Sequence, residues 1–314
     1  MKLIVLSVLA ATTAAAALFP YACGGDTPVE VTDASTRSDT SQPVVETDGA
    51  PVEDAEIDPG GWKPPVLPTT SKGCGKSQPT MSGKEFTTGA GRKFYVWGPK
   101  NYDANKAYPV ALTFHGLYAS GPTFQSWFKM EDYVKNDGFT VYPSTNGNGW
   151  DINGNSDLQL FDDMVKMLGE EFCINPSRVL GFGFSHGGIF MSVLGCKRAG
   201  YVKAIAVGDG SHGGNDVGCG RLPVLITHRT KDPDEKIAWA YTNRDRWAAL
   251  NGCSKDTKSV NTELNCVAYQ GCKAPGSLQF CEDTFFDPGW PAEWNHTVRE
   301  PYRALTWQWF KDLP

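Results

Sequence analysis

From residue 93 onward, short runs of apolar, β-branched and aromatic residues alternate with longer runs in which apolar positions recur every three or four residues. Residues 93–97 and 108–114 read as strands bounded by Gly, Pro and Asn. A helix at 123–135, a strand at 140–142, a helix at 157–171 and a strand at 179–184 follow, and that strand runs directly into a helix ending near residue 198. Ser156 and Gln159 have the spacing of a capping box for the helix from 157. Strands at 202–207, 223–227 and 266–269, an amphipathic helix at 236–250 and a closing helix at 302–310 complete the pattern. Strands alternating with helices of ten to fifteen residues predict an α/β domain, with a mostly parallel sheet covered by helices on both faces. Residues 72–314 are enough for one such core and show no internal repeat.

The region before this domain has a different pattern. Residues 1–22 combine Lys2, an apolar Ala-rich run and small residues at Ala15 and Ala17, as in a secretory signal peptide. Tyr21-Ala22-Cys23-Gly24 looks like a lipoprotein junction in which Cys23 takes a lipid, although Pro20 stands where Leu is usual; plain secretion is the alternative. Residues 23–71 form an acidic Pro/Thr/Ser tether without apolar periodicity, expected to remain unfolded. Between Asp26 and Asp58 lie ten acidic residues and one basic one, so the formal net charge of −6 belongs to the tether and the domain is close to neutral. A neutral domain argues against nucleic acid or an anionic membrane surface as partner, leaving lipid on Cys23 as the only expected membrane contact. Setting Cys23 aside leaves eight cysteines for four disulfides, and their spacing contains no paired C-x-x-C sets, so no metal site is expected.

Gly183-Phe184-Ser185-His186-Gly187 lies where the 179–184 strand meets its helix. A serine on such a turn projects its hydroxyl beyond the sheet edge, and the helix start aims free N–H groups at an oxyanion formed there. A hydroxyl nucleophile needs a base and an orienting acid. Among five histidines, His115 ends a strand, His186 adjoins the serine, and His212 and His228 follow strands closely. His296, in a late loop before the last helix, remains as the base. Asp232 completes the order Ser, acid, His along the chain, with Asp209 as competitor and Asp234 as a weaker one; an Asp before proline also serves as a turn former. The oxyanion donors are assigned to the amides of His186 and of Leu117, in the loop after the 108–114 strand. Trp127, Trp150, Trp290 and Trp294 fall near the carboxyl edge of the sheet, where Trp150, Trp290 and Trp294 are candidates to stack on a substrate ring; core packing is the competing role. No cofactor is required.

The chain resembles the secreted α/β-hydrolase esterases that include feruloyl esterases, acetylxylan esterases and polyhydroxybutyrate depolymerases, over about Cys74 to the C-terminus. The resemblance rests on Gly73-Cys74-Gly75-Lys76, Thr113-Phe114-His115-Gly116, Gly149-Trp150 with Asp157 and Phe161, Cys173-x-x-x-Ser177-Arg178-Val179, and the Ser185 motif extended by Gly188. Asn251-Gly252-Cys253 and Tyr269-Gln270-Gly271-Cys272 complete it and look most like the feruloyl branch. It implies an α/β-hydrolase fold, the Ser185, Asp232, His296 triad, an acyl-enzyme mechanism, and phenolic esters on plant cell-wall polysaccharide as substrate. Acetyl or polyester substrates are alternatives, as is a non-catalytic surface binding protein on the same fold. Two departures stand out: members tend to carry Gly where this chain has Arg229, and Gly-Gly where it has Trp294-Asn295.

Overall fold

The computed structural model describes residues 63–79, 81–286, 288–289 and 295–314. The expected signal peptide, Cys23, most of the expected tether, Trp290 and Trp294 lie outside the described residues.

β1 (Ser82–Thr87) and β2 (Lys93–Trp97) form an antiparallel pair, and β2 pairs antiparallel with β4 (Phe139–Pro143). The parallel part of the sheet runs from β4 through β3 (Tyr108–Phe114), β5 (Ile174–Phe184), β6 (Ala204–Gly208), β7 (Pro223–Arg229) and β10 (Ser277–Asp283). β9 (Cys266–Tyr269) and β8 (Thr257–Asn261) extend that edge antiparallel, giving the order β1-β2-β4-β3-β5-β6-β7-β10-β9-β8.

Successive residues of the central strands feed two separate cores, as strand pleating requires. Val110, Leu112 and Phe114 join Val179, Ile205, Val207, Val224 and Ile226 on one face. That face is covered by α3 (Ser156–Glu171), α4 (His186–Lys197) and α5 (Ile237–Leu250). Ala111, Leu180, Phe182, Phe184, Ala204, Ala206 and Leu225 face the other core, which is closed by α1 (Gly121–Phe128), α2 (Glu131–Val134) and α6 (Glu300–Asp312).

The expected single helix over 123–135 is two: Lys129 adopts a left-handed φ of 48°, and the chain restarts at Glu131. The capping box does not form. Asn155 takes the N-cap position, the Ser156 amide and hydroxyl both bond the Asp151 carboxylate, and Gln159 reaches Asp163 instead. β1, β8 and β10 were not legible as strands; β1 and β8 are largely exposed edge strands with no apolar alternation, and β10 is polar at both ends.

Ordered contacts begin upstream of Lys72, because the Ser71 hydroxyl donates to the Phe172 carbonyl at 2.6 Å and accepts the Ile174 amide at 2.9 Å. The disulfides Cys74–Cys173, Cys196–Cys219, Cys253–Cys272 and Cys266–Cys281 use all eight cysteines after Cys23. The first closes a span of 99 residues, a cross-link of the size that removes about 4 to 5 kcal/mol of unfolded-chain entropy. Among the described residues no helix is long and apolar enough to cross a membrane.

Candidate active site

Ser185 joins β5 to α4 with φ 54° and ψ −122°, a backbone conformation that costs a non-glycine residue on the order of 1–2 kcal/mol. Its neighbours over-determine it. The Ser185 amide donates to the Gly208 carbonyl at 2.9 Å, and its own carbonyl accepts the Ile189 amide at 3.0 Å. The flanking glycines are there for space: a methyl group on Gly183 would strike the Gly187 carbonyl, and one on Gly187 would strike the carbonyls of Phe114 and His115. Strand and helix start can therefore approach only with bare backbone at both places. The Ser185 side chain is left half-buried at the carboxyl end of the parallel strands.

The loop after β3 lies against this turn. A methyl on Gly116 would sit 3.3 Å from the Ser185 Cβ, so the backbone of residues 115–117 passes beside the serine. As the first residue of α4, His186 has an amide without an intrahelical acceptor. The Leu117 amide makes no backbone hydrogen bond among the described residues, whereas the next amide, Tyr118, is tied to the Asn148 carbonyl at 2.8 Å.

On the far side of β5, His296 donates or accepts through Nδ1 at 2.7 Å from Asp232 Oδ2. The other Asp232 oxygen, Oδ1, accepts the amides of Asp234 and Glu235, both at 2.9 Å. Asp232 is therefore buried but fully partnered, its carboxylate aimed by the turn that follows β7. The His296 ring packs on Phe184, with centroids 4.8 Å apart, which holds the imidazole over the strand end that carries Ser185. The arrangement brings a hydroxyl on a strained turn, an imidazole and a buried carboxylate to one edge of the sheet.

The remaining histidines are committed elsewhere. His186 accepts the Trp150 amide on Nδ1 at 3.1 Å, and burial lowers its pKa, so it is neutral with its proton on Nε2. His115 and His228 are buried, bond the carbonyls of Gly116 and Glu235, and are likewise held below the ordinary imidazole range by burial. His212 bonds the largely buried Arg246 of α5.

The competing acids also separate. Asp209 is completely enclosed, accepts the Arg229 amide on Oδ1 at 2.8 Å, and is pushed far above the usual carboxylate range by burial and then by the charge of Asp232. It lies behind the site, where burial favours the protonated form of its carboxyl. Asp234 is exposed and meets Asp232 only through its own amide.

Trp150 is a correction to the sequence expectation. Only 3% exposed, it donates from Nε1 to the His115 carbonyl at 2.7 Å, and its ring is enclosed by Phe114, Phe190 and His115. It braces the loop beside Ser185 from beneath and offers no face to a substrate. Exposed apolar groups near the site come instead from Leu117, Tyr118 and Trp127. Trp127 meets Phe184 edge-on at 5.4 Å, so it connects to the His296 ring through one aromatic contact. Sequence reasoning also overlooked the charged group behind His296, formed by Arg229, Asp283, Asn295 and Arg299; its one visible signal was the pair of departures at Arg229 and Asn295.

No family model matches the chain. A probable feruloyl esterase C from Aspergillus terreus is 29% identical over 228 residues, covering 66% of this chain and 80% of that protein. Feruloyl esterase D from Neurospora crassa is 29% identical over 230 residues, covering 65% and 77%. Among solved structures, an acetyl xylan esterase from Aspergillus awamori superposes with a TM-score of 0.55 at 15% identity, covering 72% of this chain and 98% of that one. The chain has the α/β-hydrolase fold and is similar in sequence to feruloyl esterases.

Proposed function

We propose that this protein is a serine esterase that cleaves carboxylic esters of plant cell-wall polysaccharide, with feruloyl and related phenolic esters preferred. The observation that carries the reading is the 2.7 Å bond between His296 and Asp232 at the sheet edge where Ser185 occupies its strained turn. Ser185 Oγ attacks the ester carbonyl while His296 takes its proton, and Asp232 holds the imidazole in the tautomer that allows this. The amides of His186 and Leu117 bind the oxyanion, each contributing about 3 kcal/mol. His296 returns the proton to the leaving sugar hydroxyl, and water then releases the acid from Ser185 by the same route reversed. The homologues favour a feruloyl acyl group, and the exposed Leu117, Tyr118 and Trp127 supply apolar and aromatic surface for its ring.

Four disulfides suit an oxidising compartment, and with the signal-like residues 1–22 they support export, with Cys23 as the site of lipid attachment.

Hydrolysis of methyl ferulate, p-nitrophenyl acetate and p-nitrophenyl butyrate by the wild type and Ser185→Ala tests the activity. Cleavage of methyl ferulate by the wild type, reduced by about 10⁴-fold or more in the variant, is the expected result. Cleavage of the short acyl esters alone would move the substrate to acetyl or aliphatic polyesters. Failure on all three, with Ser185 also resistant to an organophosphonate, would leave a binding protein on a hydrolase fold.

A further inference from the structure

Arg229 is 2% exposed and among the largest fully buried side chains of the protein. A guanidinium keeps its charge at any physiological pH, so such burial is tolerated only where acceptors meet it. Those acceptors come from the end of β10 and from the residues between it and His296. Arg229 donates through one terminal nitrogen to the Phe285 carbonyl at 2.9 Å and to Asn295 Oδ1 at 3.2 Å, and its Nε lies 4.0 Å from Asp283. Asp283 is equally buried and receives two 2.6 Å bonds from Arg299, beyond His296 in the chain, as well as the Phe285 amide at 3.1 Å. On the strand side, the Arg229 amide bonds Asp209 and its carbonyl accepts the Asp232 amide, while the Thr230 amide bonds the Asp283 carbonyl.

One side chain thus spans from the turn that aims Asp232 to Asn295, the residue immediately before His296. These are also the two places where the chain departs from the pattern it otherwise resembles, and the departures touch one another. We propose that Arg229 is a positioning residue for the reaction: braced by Asp283, it fixes Asn295 and thereby the placement of the His296 imidazole relative to Asp232 and Ser185. The proposal rests on the esterase reading above. A shift of about 1 Å in a proton-transferring group is enough to lower a rate about 10²-fold without altering how substrate binds.

Arg229→Met, Asn295→Ala and the double variant, made in the full chain, test it with whichever ester the wild type cleaves. Arg229→Met leaves Asp283 partnered by Arg299, and Asn295→Ala removes one acceptor of the buried guanidinium while the Phe285 carbonyl and Asp283 remain beside it. The expected result is a kcat loss of about 10²-fold in each single variant at nearly unchanged KM, with the double variant no slower than the slower single one, since both changes break the same link. A purely structural role would lower the melting temperature while kcat per folded molecule stayed at the wild-type value. That outcome, or losses that multiply in the double variant, would overturn the proposal. Should Arg229→Met fail to fold, Asn295→Ala decides alone: wild-type kcat rejects the link. Absence of any wild-type hydrolysis would show instead that the esterase reading itself had failed.

Discussion

The two halves of the candidate site are built by opposite means. Around Ser185 the structure depends on what is missing: Gly183, Gly187 and Gly116 have no side chains, so strand, helix start and loop can meet backbone to backbone. Around His296 it depends on side chains that reach far: Asp232, Arg229, Asp283, Asn295 and Arg299 draw the ends of β7 and β10 and the late loop together through charge-assisted hydrogen bonds. The first half is fixed by close backbone contacts that leave no room for a side chain at the three glycines. The second must order several long side chains, and it holds only because they are buried and paired with one another. A nucleophile can be fixed by local geometry, whereas a base that must approach and leave a proton is held by a network that sets its position from a distance.

The largest expected effect comes from the contact between base and acid. Asp232→Asn keeps the shape but offers an amide to the imidazole, and kcat should fall about 10⁴-fold near neutral pH, read from initial rates at saturating ester. An unchanged rate would mean that the His296–Asp232 bond does not serve catalysis. Next comes the glycine half. In Gly187→Ala the added methyl meets two backbone carbonyls that cannot move without displacing β3, so unfolding stability should drop by about 3 kcal/mol, measured as a shifted urea midpoint. A shift of only a few tenths would show that the elbow yields and is less rigid than its close approaches imply.

The smallest effect, and the sharpest for telling the two acids apart, is expected at Asp209. Burial and the charge of Asp232 raise its pKa in the folded protein, so above the ordinary carboxylate range the unfolded chain releases this proton while the fold retains it. The folded state then binds more protons, and this group lowers stability as pH rises towards its folded pKa. Asp209→Asn removes that dependence. Relative to wild type it should gain stability as pH rises above about 4, while kcat stays within about twofold, roughly 0.4 kcal/mol. A large loss of kcat would instead make Asp209 a working member of the site.

Much of this was legible beforehand for reasons particular to each element. β2 and β3 were readable to the residue because apolar stretches end at Gly, Pro or Asn. The turn at Ser185 was readable because its glycines are adjacent in sequence to the residue they serve. Trp150 was misjudged because proximity to the sheet edge says nothing of whether a ring points up towards substrate or down into the Phe114 and Phe190 layer. β10 was missed although it supplies Asp283, because its ends are polar; its place is decided by parallel pairing with β7, which lies far away in sequence.

The sequence by itself determined the layered α/β pattern and the glycine-flanked turn at Ser185, since each is written in local spacing and side-chain chemistry. Only the tertiary structure decided the disulfide partners, the bond of His296 to Asp232 and not to Asp209, and the contact between Arg229 and Asn295. Those depend on which distant segments the sheet order brings together, and on how burial, absent from any local pattern, then sets charge and hydrogen bonding.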